Sequence, residues 1–518
     1  MKTNTGQRTE WDAIVIGSGI GGLAAAAALA KLGRPVLVLE QHHLAGGLTQ
    51  TFSRDGWTWD VGVHYVGQGG AREMAGRLLG WLSDGAIRMA PLQSVYDTLH
   101  FPDDVIVPFT SSRTGFVRGL SQAFPGSDRE LEAFLHALDA AQHAADTLFR
   151  VRALPRPLGK LLLLLKHRGL ARWVNRTTTD VVGEIISNPR LRAALTATWG
   201  DHGGKPSEAS FAVHAMVMLH YLEGAYYPVG GARAYAAGMI PVIERAGGRV
   251  QLNAEVAAVL FDGGRVSGVR LADGTVCRAS HVISDAGAQN TVGLLPPEQG
   301  QSAWAREIMS FRPALSYLCL YLGFEGDIAA AGANQSNHWF HESWDSEAVI
   351  WADPSRQPVA PGLFVSFASL KDPAHDAGPA QRHTGEVIAW TSWQSFQRWA
   401  SSTYGNRTPD YQAFKREIAA RMLAQFGRYF PRLLPLVRYQ ELSTPLTTAH
   451  FTHAREGAAY GLEVTPRRLL SPALQPKTPI PGLYLAGQDA VSPGTTPSLM
   501  GGLLAAAAIH PTIFRELR

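Results

Sequence analysis

The first long apolar segment of the chain changes its pattern twice within thirty residues. Ala13–Ile16 is a continuous apolar run, residues 23–32 are rich in alanine, and Val36–Leu39 is again continuously apolar. Short apolar runs bounded by glycine predict buried strands, and an alanine-rich stretch between two of them predicts a helix. The pattern therefore predicts a strand, a helix and a second strand that ends at Glu40.

Alternation of apolar and polar positions predicts sheet in later parts of the chain. Residues 52–67 read as a hairpin whose turn lies near Asp55 and Gly56, a dipeptide that favours tight turns. Alternation over 316–322 and 363–370 predicts strands of a second sheet. Further short strands are predicted at 249–252, 256–261, Arg265–Leu271 and 281–287.

A glycine-rich turn, GSGIGG at 17–22, joins the first predicted strand to the helix. It contains G-x-G-x-x-G, in which Gly17 permits a tight turn, Gly19 lets the backbone approach a pyrophosphate, and Gly22 lets the helix pack on the sheet. The helix N-terminus adds unpaired N–H groups and a partial positive charge. This spacing predicts dinucleotide binding, and the glycines argue against a signal peptide or membrane anchor.

Glu40 follows the second strand and indicates which nucleotide binds. Its carboxylate is expected to accept from both hydroxyls of an adenosine ribose, each charged hydrogen bond contributing about 1.5–3 kcal/mol. It would repel a 2′-phosphate, so FAD or NAD is predicted rather than NADP. Gly46 and Gly47 would bring further N–H groups to the pyrophosphate. The adjacent His42 and His43 have no matching ligand cluster, so no metal site is predicted.

The chain closes with a second strand, turn and helix. Residues 482–489 predict a strand, and Gly501 and Gly502 lie in an alanine-rich helix. Asp489 is expected to bind a ribityl hydroxyl, and the helix N-terminus near 498–502 to face the N1–C2=O edge of a flavin, where negative charge collects on reduction. A nucleotide held at both ends of the chain implies a large cofactor such as FAD.

The overall composition is that of an ordinary globular protein. Of 518 residues, 46% are hydrophobic and 17% charged, which suits two or three domains. Two cysteines, Cys277 and Cys319, lie far apart, so neither a disulfide framework nor thiol redox chemistry is predicted. No other apolar run is long enough to span a bilayer. The protein is expected in the cytoplasm, with peripheral membrane contact left open.

The net charge of +4 is unevenly distributed. Residues 150–176 contain no acidic side chain, while they hold leucines at 161–165 and Trp173. This mixture suits a segment in the headgroup region of an anionic membrane, each cation contributing about 1 kcal/mol. The alternative is a helix with a buried leucine face and a solvated basic face. No nucleic-acid-binding module is recognised, so nucleic acid is not a predicted partner. The basic residues are Arg150, Arg152, Arg156, Lys160, Lys166, Arg168, Arg172 and Arg176.

The pattern divides the chain into three predicted regions. Residues 1–75, 225–300 and 440–518 form a discontinuous nucleotide-binding domain. Residues 76–224 are mostly helical and form a membrane and substrate-access region. Residues 301–439 are rich in tryptophan and tyrosine and form a substrate-binding domain. Its aromatic residues predict either an ordinary core or a long apolar tunnel.

Several motifs are spread over both ends and the middle of the chain. They are GSGIGG, Glu40, AGGL at 45–48, WDVGVHYVG at 59–67, YYPVGGARAYAAGM at 226–239, HVISDAG at 281–287, GAAYGL at 457–462 and PGLYLAGQDAVSPG at 481–494. Together they resemble the phytoene desaturase and carotenoid isomerase group of FAD flavoproteins, and most of all its all-trans-retinol saturase branch. The resemblance implies an α/β fold: a Rossmann-like FAD-binding domain of the glutathione reductase and amine oxidase type, and a substrate domain with a mixed sheet and helices.

The resemblance also implies which residues hold the cofactor. The glycine turn, Glu40 and the paired glycines are assigned to the phosphates and ribose, Val256 to the adenine, and Asp489 to the ribityl-pyrophosphate arm. The expected FAD contacts are Gly17, Gly19, Ile20, Gly21, Gly22, Glu40, Gln41, Gly46, Gly47, Leu48, His64, Val256, Gly487, Asp489, Ser498, Leu499 and Met500.

The favoured interpretation is a flavoenzyme that acts on a carbon–carbon double bond of an apolar polyene or long-chain lipid, by saturation or cis/trans isomerisation. FAD would exchange hydride through N5, and an external electron donor or acceptor is required because no second dinucleotide fingerprint follows. His64, Tyr65 and Tyr460 are the candidate proton donors. The alternative for His64 is packing below the flavin, and for Tyr460 a structural role.

Two other functions remain open at this point. A carotenoid desaturase, or an oxidase of amines or porphyrinogens, would share the cofactor and fold but take hydride from its substrate. A lipid-binding protein that keeps FAD only as a structural group would share them without catalysis.

Overall fold

The computed structural model describes residues 10–152, 161, 165 and 167–517. Among these residues, a five-stranded sheet contains the strands on either side of the glycine turn. Its neighbouring strands all run parallel. The strands predicted on either side of the glycine turn are both present and completely buried, as in a parallel sheet covered on both faces. In spatial order the strands are Arg249–Gln251, Val36–Leu39, Ala13–Ile16, Val282–Ser284 and Leu483–Leu485.

The first helix, Ile20–Lys31, packs directly against the closing helix, Thr495–Ile509. They meet through glycine, since a Cβ on Gly502 would overlap the carbonyl oxygen of Gly21. Small residues let the two backbones approach this closely, which explains the alanine-rich sequence of both helices. A further helix, Ala234–Arg245, also packs against the first helix.

A seven-stranded sheet, counted among the described residues, confirms the predicted second sheet. Successive side chains of its strand Ser316–Glu325 point to opposite faces of the sheet. Leu320 and Leu322 belong to the core with helix Pro409–Tyr429, whereas Tyr321 packs with the tryptophans of the hairpin. In spatial order the strands are Val437–Ser443, Ser316–Glu325, Arg382–Thr391, Gly362–Ser366, Asn337–His341, Val95–His100 and Ile106–Thr110.

The region 76–224, predicted to be mostly helical, also contains the strands Met89–Pro91, Val95–His100 and Ile106–Thr110. Val95–His100 pairs in parallel with Asn337–His341, so the second sheet crosses the predicted boundary at 301. Pairing between strands so far apart in sequence leaves no local signal. The helices of this part of the chain are Met74–Leu82, Arg113–Ala123, Asp128–Arg152, His167–Gly169, Leu170–Val174, Thr178–Ile185, Pro189–Thr196, Ala197–Asp201 and Phe211–Leu222.

Smaller elements complete the fold. The predicted hairpin is Thr51–Arg54 with Trp57–Asp60, and positive φ at both Asp55 and Gly56 explains its tight turn. A four-stranded sheet contains, in spatial order, Glu10–Trp11, Val276–Ala279, Arg265–Leu271 and Val256–Asp262. A three-stranded sheet contains Val66–Gly67, Ala225–Pro228 and Met89–Pro91. The remaining helices are Gly47–Thr49, Ala288–Gly293, Pro297–Gly300, Ala303–Met309, Ala368–Lys371, Trp393–Ser395, Gln397–Trp399, Leu434–Leu436, Pro445–Thr452, Arg455–Gly457, Pro466–Leu470, Pro472–Leu474 and Ile513–Glu516.

The basic segment 150–176 lies partly outside the described residues, which exclude 153–160, 162–164 and 166. In its described part, Leu161 and Leu165 are exposed, by 55% and 70%. Arg172 places its guanidinium 4.8 Å from the centre of the Trp173 ring, and that ring packs against the protein core. Across the described ranges, none of the helices has both the length and the apolar character needed to cross a membrane.

Candidate active site

A long cleft of about 400 Å³ opens at the carboxyl ends of the central parallel strands. Loops that follow all five of these strands line it, as is usual for ligand sites in open α/β sheets. One half lies between the N-termini of the first and closing helices. The other half is lined by Gln50 and Gly62 beside the hairpin and by Tyr65, Tyr221 and Tyr460. Nucleotide and substrate features predicted from distant parts of the chain therefore share one cavity.

The glycine turn has the geometry that its sequence predicts. Gly17 has φ +93°, and a Cβ on Gly22 would overlap the carbonyl oxygen of Gly17. Gly47 approaches Gly19 so closely that its Cβ would lie 3.1 Å from the Gly19 Cα. The first helix begins after Gly19 without any side-chain cap, so its first N–H groups face the cleft.

Glu40 ties the two glycine loops together. Its Oε2 accepts from the backbone N–H and the hydroxyl of Ser18 at 2.8 and 2.7 Å, and its Oε1 accepts from the His42 N–H at 2.8 Å. Ser18 in turn holds Gly46, whose N–H lies 3.0 Å from the Ser18 carbonyl oxygen. A carboxylate has about four acceptor sites, so among the described residues one site on Oε1 stays open for a ligand hydroxyl.

Asp489 connects the closing strand to two other loops of the cleft. Its Oδ2 accepts from the Ala288 N–H at 2.8 Å, and its Oδ1 accepts from the Leu462 N–H at 3.2 Å. The buried guanidinium of Arg468 lies 3.7 Å behind it and donates to the carbonyls of Leu462 and Gln488, both at 2.6 Å. Asp489 is only 5% exposed but lines the cavity, so it both fixes these loops and borders the cofactor space.

Asp285 is a cleft residue that the sequence analysis did not assign to the site. Its carboxyl oxygens lie beside Gly19, Gly21 and Gly487, where a Cβ on Gly21 would come within 2.6 Å of Oδ1. Burial raises the pKa of this carboxyl to about 7, and the charge of Glu40 adds to that rise. Its position after a buried strand and its place in the HVISDAG motif were the available signals. A carboxyl that is about half protonated at pH 7 repels a neighbouring pyrophosphate less than a fully ionised one.

Tyr65 is the most connected of the predicted proton donors. Its hydroxyl lies 2.8 Å from Asp201 Oδ2 and 3.0 Å from Asp97 Oδ2, and its ring stacks on Tyr221 at 4.2 Å. Burial raises the pKa of the Tyr65 hydroxyl well above its usual value, and the carboxylates add to the rise. The buried ammonium of Lys371 lies 5.8 Å from the Tyr65 ring centre.

His64 and Tyr460 also lie on the cleft. The His64 ring packs edge-on against Phe364 at 5.0 Å, and burial, followed by the charge of Lys371, lowers its pKa to about 3. It is therefore a neutral imidazole at pH 7. Tyr460 lies 6.2 Å from the Trp390 ring, and burial raises the pKa of its hydroxyl. Each is a weak acid at neutral pH.

The structure brings most of the predicted residues to one cavity, but not all. Gly22 packs against Gly17, while Leu499 and Met500 pack into the core of the nucleotide-binding sheet. Further lining residues were missed, among them Gln50, Asp201 and Tyr221. The predicted residues that line the cavity are Gly17, Gly19, Ile20, Gly21, Glu40, Gln41, Gly46, Gly47, Leu48, His64, Tyr65, Val256, Tyr460, Gly487, Asp489 and Ser498.

The residues of this cleft fit an extended dinucleotide such as FAD. Two helix N-termini without side-chain caps face it, at Gly19 and Gly494, and both carry partial positive charge. Gly47 lets its loop lie against Gly19 at the edge of the cleft, and the open acceptor site on Glu40 suits a ribose hydroxyl. The Oε1 of Gln50 is buried at the cleft and, among the described residues, has no hydrogen-bond donor.

Comparisons with known proteins agree with this geometry. Residues 20–510 match the family described as flavin containing amine oxidoreductase. All-trans-retinol 13,14-reductase of Rattus norvegicus is 33% identical over 519 residues, covering 96% of this chain and 85% of the relative. The chloroplastic prolycopene isomerase of Daucus carota is 26% identical over 505 residues, covering 94% and 78% of the two chains.

Solved structures give the same result for the fold. Cyclohexylamine oxidase from Brevibacterium oxydans IH-35A superposes with a TM-score of 0.63 at 19% identity, covering 98% of this chain and 100% of that one. The predicted α/β fold, the FAD cofactor and the resemblance to retinol saturases are thereby confirmed. This chain belongs to the flavin containing amine oxidoreductase family and is an FAD-dependent oxidoreductase of the retinol reductase-like branch.

Proposed function

We propose that this enzyme acts on a carbon–carbon double bond of an apolar polyene or long-chain lipid, by saturation or cis/trans isomerisation. One observation carries the proposal: the cleft that fits FAD continues into a pocket lined by Tyr65, Tyr221 and Tyr460 beside the aromatic face of the second sheet. Relatives that are named for a retinol reductase and a prolycopene isomerase support the same substrate class.

The face of the second sheet that adjoins the pocket supports an apolar substrate. Tyr317 and Tyr321 alternate with the leucines of their strand and pack with Trp57, Trp59 and the loop of Tyr460. Aromatic side chains bury large apolar areas and position a flat conjugated chain between their rings. A polyene has this flat, apolar shape.

This pocket is less suited to binding an amine substrate. An ammonium group requires an ionised carboxylate or a suitable aromatic cage. Asp201 lines this pocket together with Tyr221 and Tyr460, and burial together with the charge of Asp97 raises its pKa well above the usual range. A neutral carboxyl does not compensate a buried cation, so a neutral substrate is favoured.

The proposed reaction assigns separate roles to FAD and to the protein. When bound, FAD supplies hydride exchange at N5. Bound substrate keeps water away from the double bond, the aromatic pocket orients that bond, and a side chain at the pocket supplies or removes a proton. For net oxidation or reduction, electrons pass to or from an external acceptor or donor, because the sequence contains no second dinucleotide fingerprint.

A polyene substrate would also give the enzyme a reason to bind a membrane surface. Burying about 20 carbons from water releases on the order of 15 kcal/mol, at about 0.8 kcal/mol per CH2. Such a substrate resides in lipid, so direct transfer from a bilayer avoids an aqueous step. We propose residues 150–176 as the peripheral docking segment, which the exposed Leu161 and Leu165 support.

The proposal is tested by stopped-flow reoxidation of the anaerobic, dithionite-reduced enzyme. All-trans-retinol, a carotenoid and linoleic acid are tested against cyclohexylamine as the control, with flavin absorbance as the signal. Reoxidation by a polyene identifies saturation and its substrate class. Altered double-bond geometry without reoxidation identifies isomerisation. If no polyene or lipid reacts, and oxidised enzyme is instead reduced by the amine, the proposal is wrong.

A further inference from the structure

One phenol hydroxyl at the substrate end of the cleft lies between two carboxyl groups. Tyr65 Oη is 2.8 Å from Asp201 Oδ2 and 3.0 Å from Asp97 Oδ2. A tyrosine hydroxyl carries a single hydrogen, and an ionised carboxylate only accepts. The hydroxyl satisfies one carboxylate, so the second contact requires a proton on the other carboxyl group. The arrangement therefore holds a shared proton.

The surroundings indicate which carboxyl carries it. Asp97 accepts a second hydrogen bond, from Asn337 Nδ2 at 3.0 Å, and the ammonium of Lys371 attracts its charge. That ammonium is fixed by the Ser366 hydroxyl at 2.7 Å and by the Asn337 amide oxygen. Among the described residues, Asp201 has no such donor or cation and is instead repelled by Asp97. Asp97 is the ionised member and Asp201 the protonated one.

Only the protonated member reaches the cavity. Asp201 lines the cleft beside Tyr221 and Tyr460, whereas Asp97 is 1% exposed and lies behind Tyr65. The order from the cavity inwards is Asp201, Tyr65, Asp97 and then Lys371. A carboxylic acid that is held by a hydrogen-bonded chain and faces an apolar pocket is the arrangement that a general acid needs.

We infer that Asp201 is the proton donor of this enzyme, with Tyr65 and Asp97 as the residues that position it and hold its proton. The inference rests on the proposed function. In saturation, bound reduced FAD would supply the hydride for one alkene carbon. The π electron pair of the double bond forms a new C–H bond at the neighbouring carbon with the Asp201 proton. Asp201 is left as a carboxylate.

The same cluster accommodates the charge that this step creates. Tyr65 donates its hydrogen to the new Asp201 carboxylate, and the Lys371 ammonium remains beside Asp97. Burial lowers the pKa of Lys371 to about 8, so it stays charged at pH 7. Solvent returns a proton to Asp201 through the open cleft after product leaves. The net reaction consumes one hydride equivalent and one proton.

The test compares Asp201→Asn with a matched substitution. Asparagine keeps the shape of the side chain but has no acidic proton. Asp60→Asn is the control, because Asp60 also pairs with a tyrosine hydroxyl, that of Tyr227, but neither residue lines the cleft. Asp201→Asn should lower the rate of flavin reoxidation by polyene by about 10²-fold or more, with FAD content and substrate dissociation constant unchanged. Asp60→Asn should stay within about threefold of wild type.

An infrared measurement tests the shared proton without reference to turnover. The difference spectrum between wild type and Asp201→Asn should contain a protonated-carboxyl band at pH 7 that moves in D2O. Should Asp201→Asn fail to fold, Tyr65→Phe replaces it, and the carboxyl band should then shift because its hydrogen-bond partner is lost.

Two results would overturn the inference. One is a wild-type enzyme that saturates polyenes while Asp201→Asn retains its rate; the other is an infrared spectrum without the band or without its shift. If wild type itself reduces no polyene, the proposed function fails, and the infrared result still decides the protonation of Asp201.

Discussion

Gly502→Ala is the substitution that most directly tests how the cofactor loops are held. The first and closing helices contact each other at this glycine. An added Cβ would overlap the carbonyl oxygen of Gly21 and lie 2.9 Å from its carbonyl carbon. Both neighbouring atoms belong to the backbone, so no flexible side chain can move away to relieve the contact. The helices themselves must separate.

The size of the effect follows from that geometry. Carbon atoms pack at about 3.5–4.0 Å, so the helices must part by roughly 0.6 Å or more. Overpacking of this kind costs about 1–3 kcal/mol. Because the N-termini of both helices border the cleft, the separation should also weaken FAD binding. A loss of about 1.4 kcal/mol there corresponds to a tenfold rise in Kd.

Gly183→Ala supplies a matched control. Gly183 lies in helix Thr178–Ile185, and a Cβ there would meet nothing within 4 Å. In a helix without such a contact, alanine stabilises by about 0.4–1 kcal/mol relative to glycine. Urea unfolding followed by tryptophan fluorescence, and FAD titration of the apoprotein, measure both variants. The packing argument is wrong if Gly502→Ala resists urea as well as Gly183→Ala and binds FAD equally tightly.

The remaining predictions concern the cofactor, acid stability and the membrane. Glu40→Ala should weaken FAD binding at least about tenfold, because a charged hydrogen bond contributes about 1.5–3 kcal/mol; full flavin content after purification would place the ribose contact elsewhere. Burial lowers the pKa of His214 from 6.5 to about 4, so only the unfolded chain takes up a proton between these values and acid destabilises the fold. Relative to His214→Gln, wild type should lose about 2 kcal/mol of unfolding free energy from pH 7 to pH 5; parallel pH profiles for the two proteins would disprove this. Loss of charge in the basic segment should weaken sedimentation with anionic liposomes, each cation contributing about 1 kcal/mol, and unchanged binding would leave it a packing segment; the residues to substitute are Lys160, Lys166, Arg168 and Arg172.

The nucleotide half of the site could be predicted because its determinants are local. The conformation of Gly17 and the position of Glu40 follow from the order of strand, turn, helix and strand within thirty residues. The hairpin could be predicted for the same reason, since Asp55 and Gly56 both adopt positive φ in its turn. Short-range sequence is sufficient for such features.

The acid cluster could not be predicted, because its members are far apart in the chain. Tyr65 is 136 residues from Asp201 and 32 from Asp97. Asp97 reaches it only through the pairing of its strand with Asn337, and no motif marks that contact. Non-local pairing of this kind depends on the whole fold.

Helix geometry explains why Leu499 and Met500, two of the predicted cofactor contacts, do not line the cavity. Ser498 lines the cleft, but each further residue of an α-helix turns by about 100°. Leu499 and Met500 therefore turn away into the core of the nucleotide-binding sheet. A family motif of consecutive residues gives the correct segment but does not separate its inner and outer faces.

The most direct test of the account is the mass of the product from a single anaerobic turnover of the reduced enzyme with all-trans-retinol. The account predicts a retinoid heavier by two hydrogens, formed as the flavin is reoxidised, or a geometric isomer of unchanged mass. Recovery of unchanged retinol, together with persistently reduced flavin and the same result for a carotenoid and linoleic acid, would contradict it.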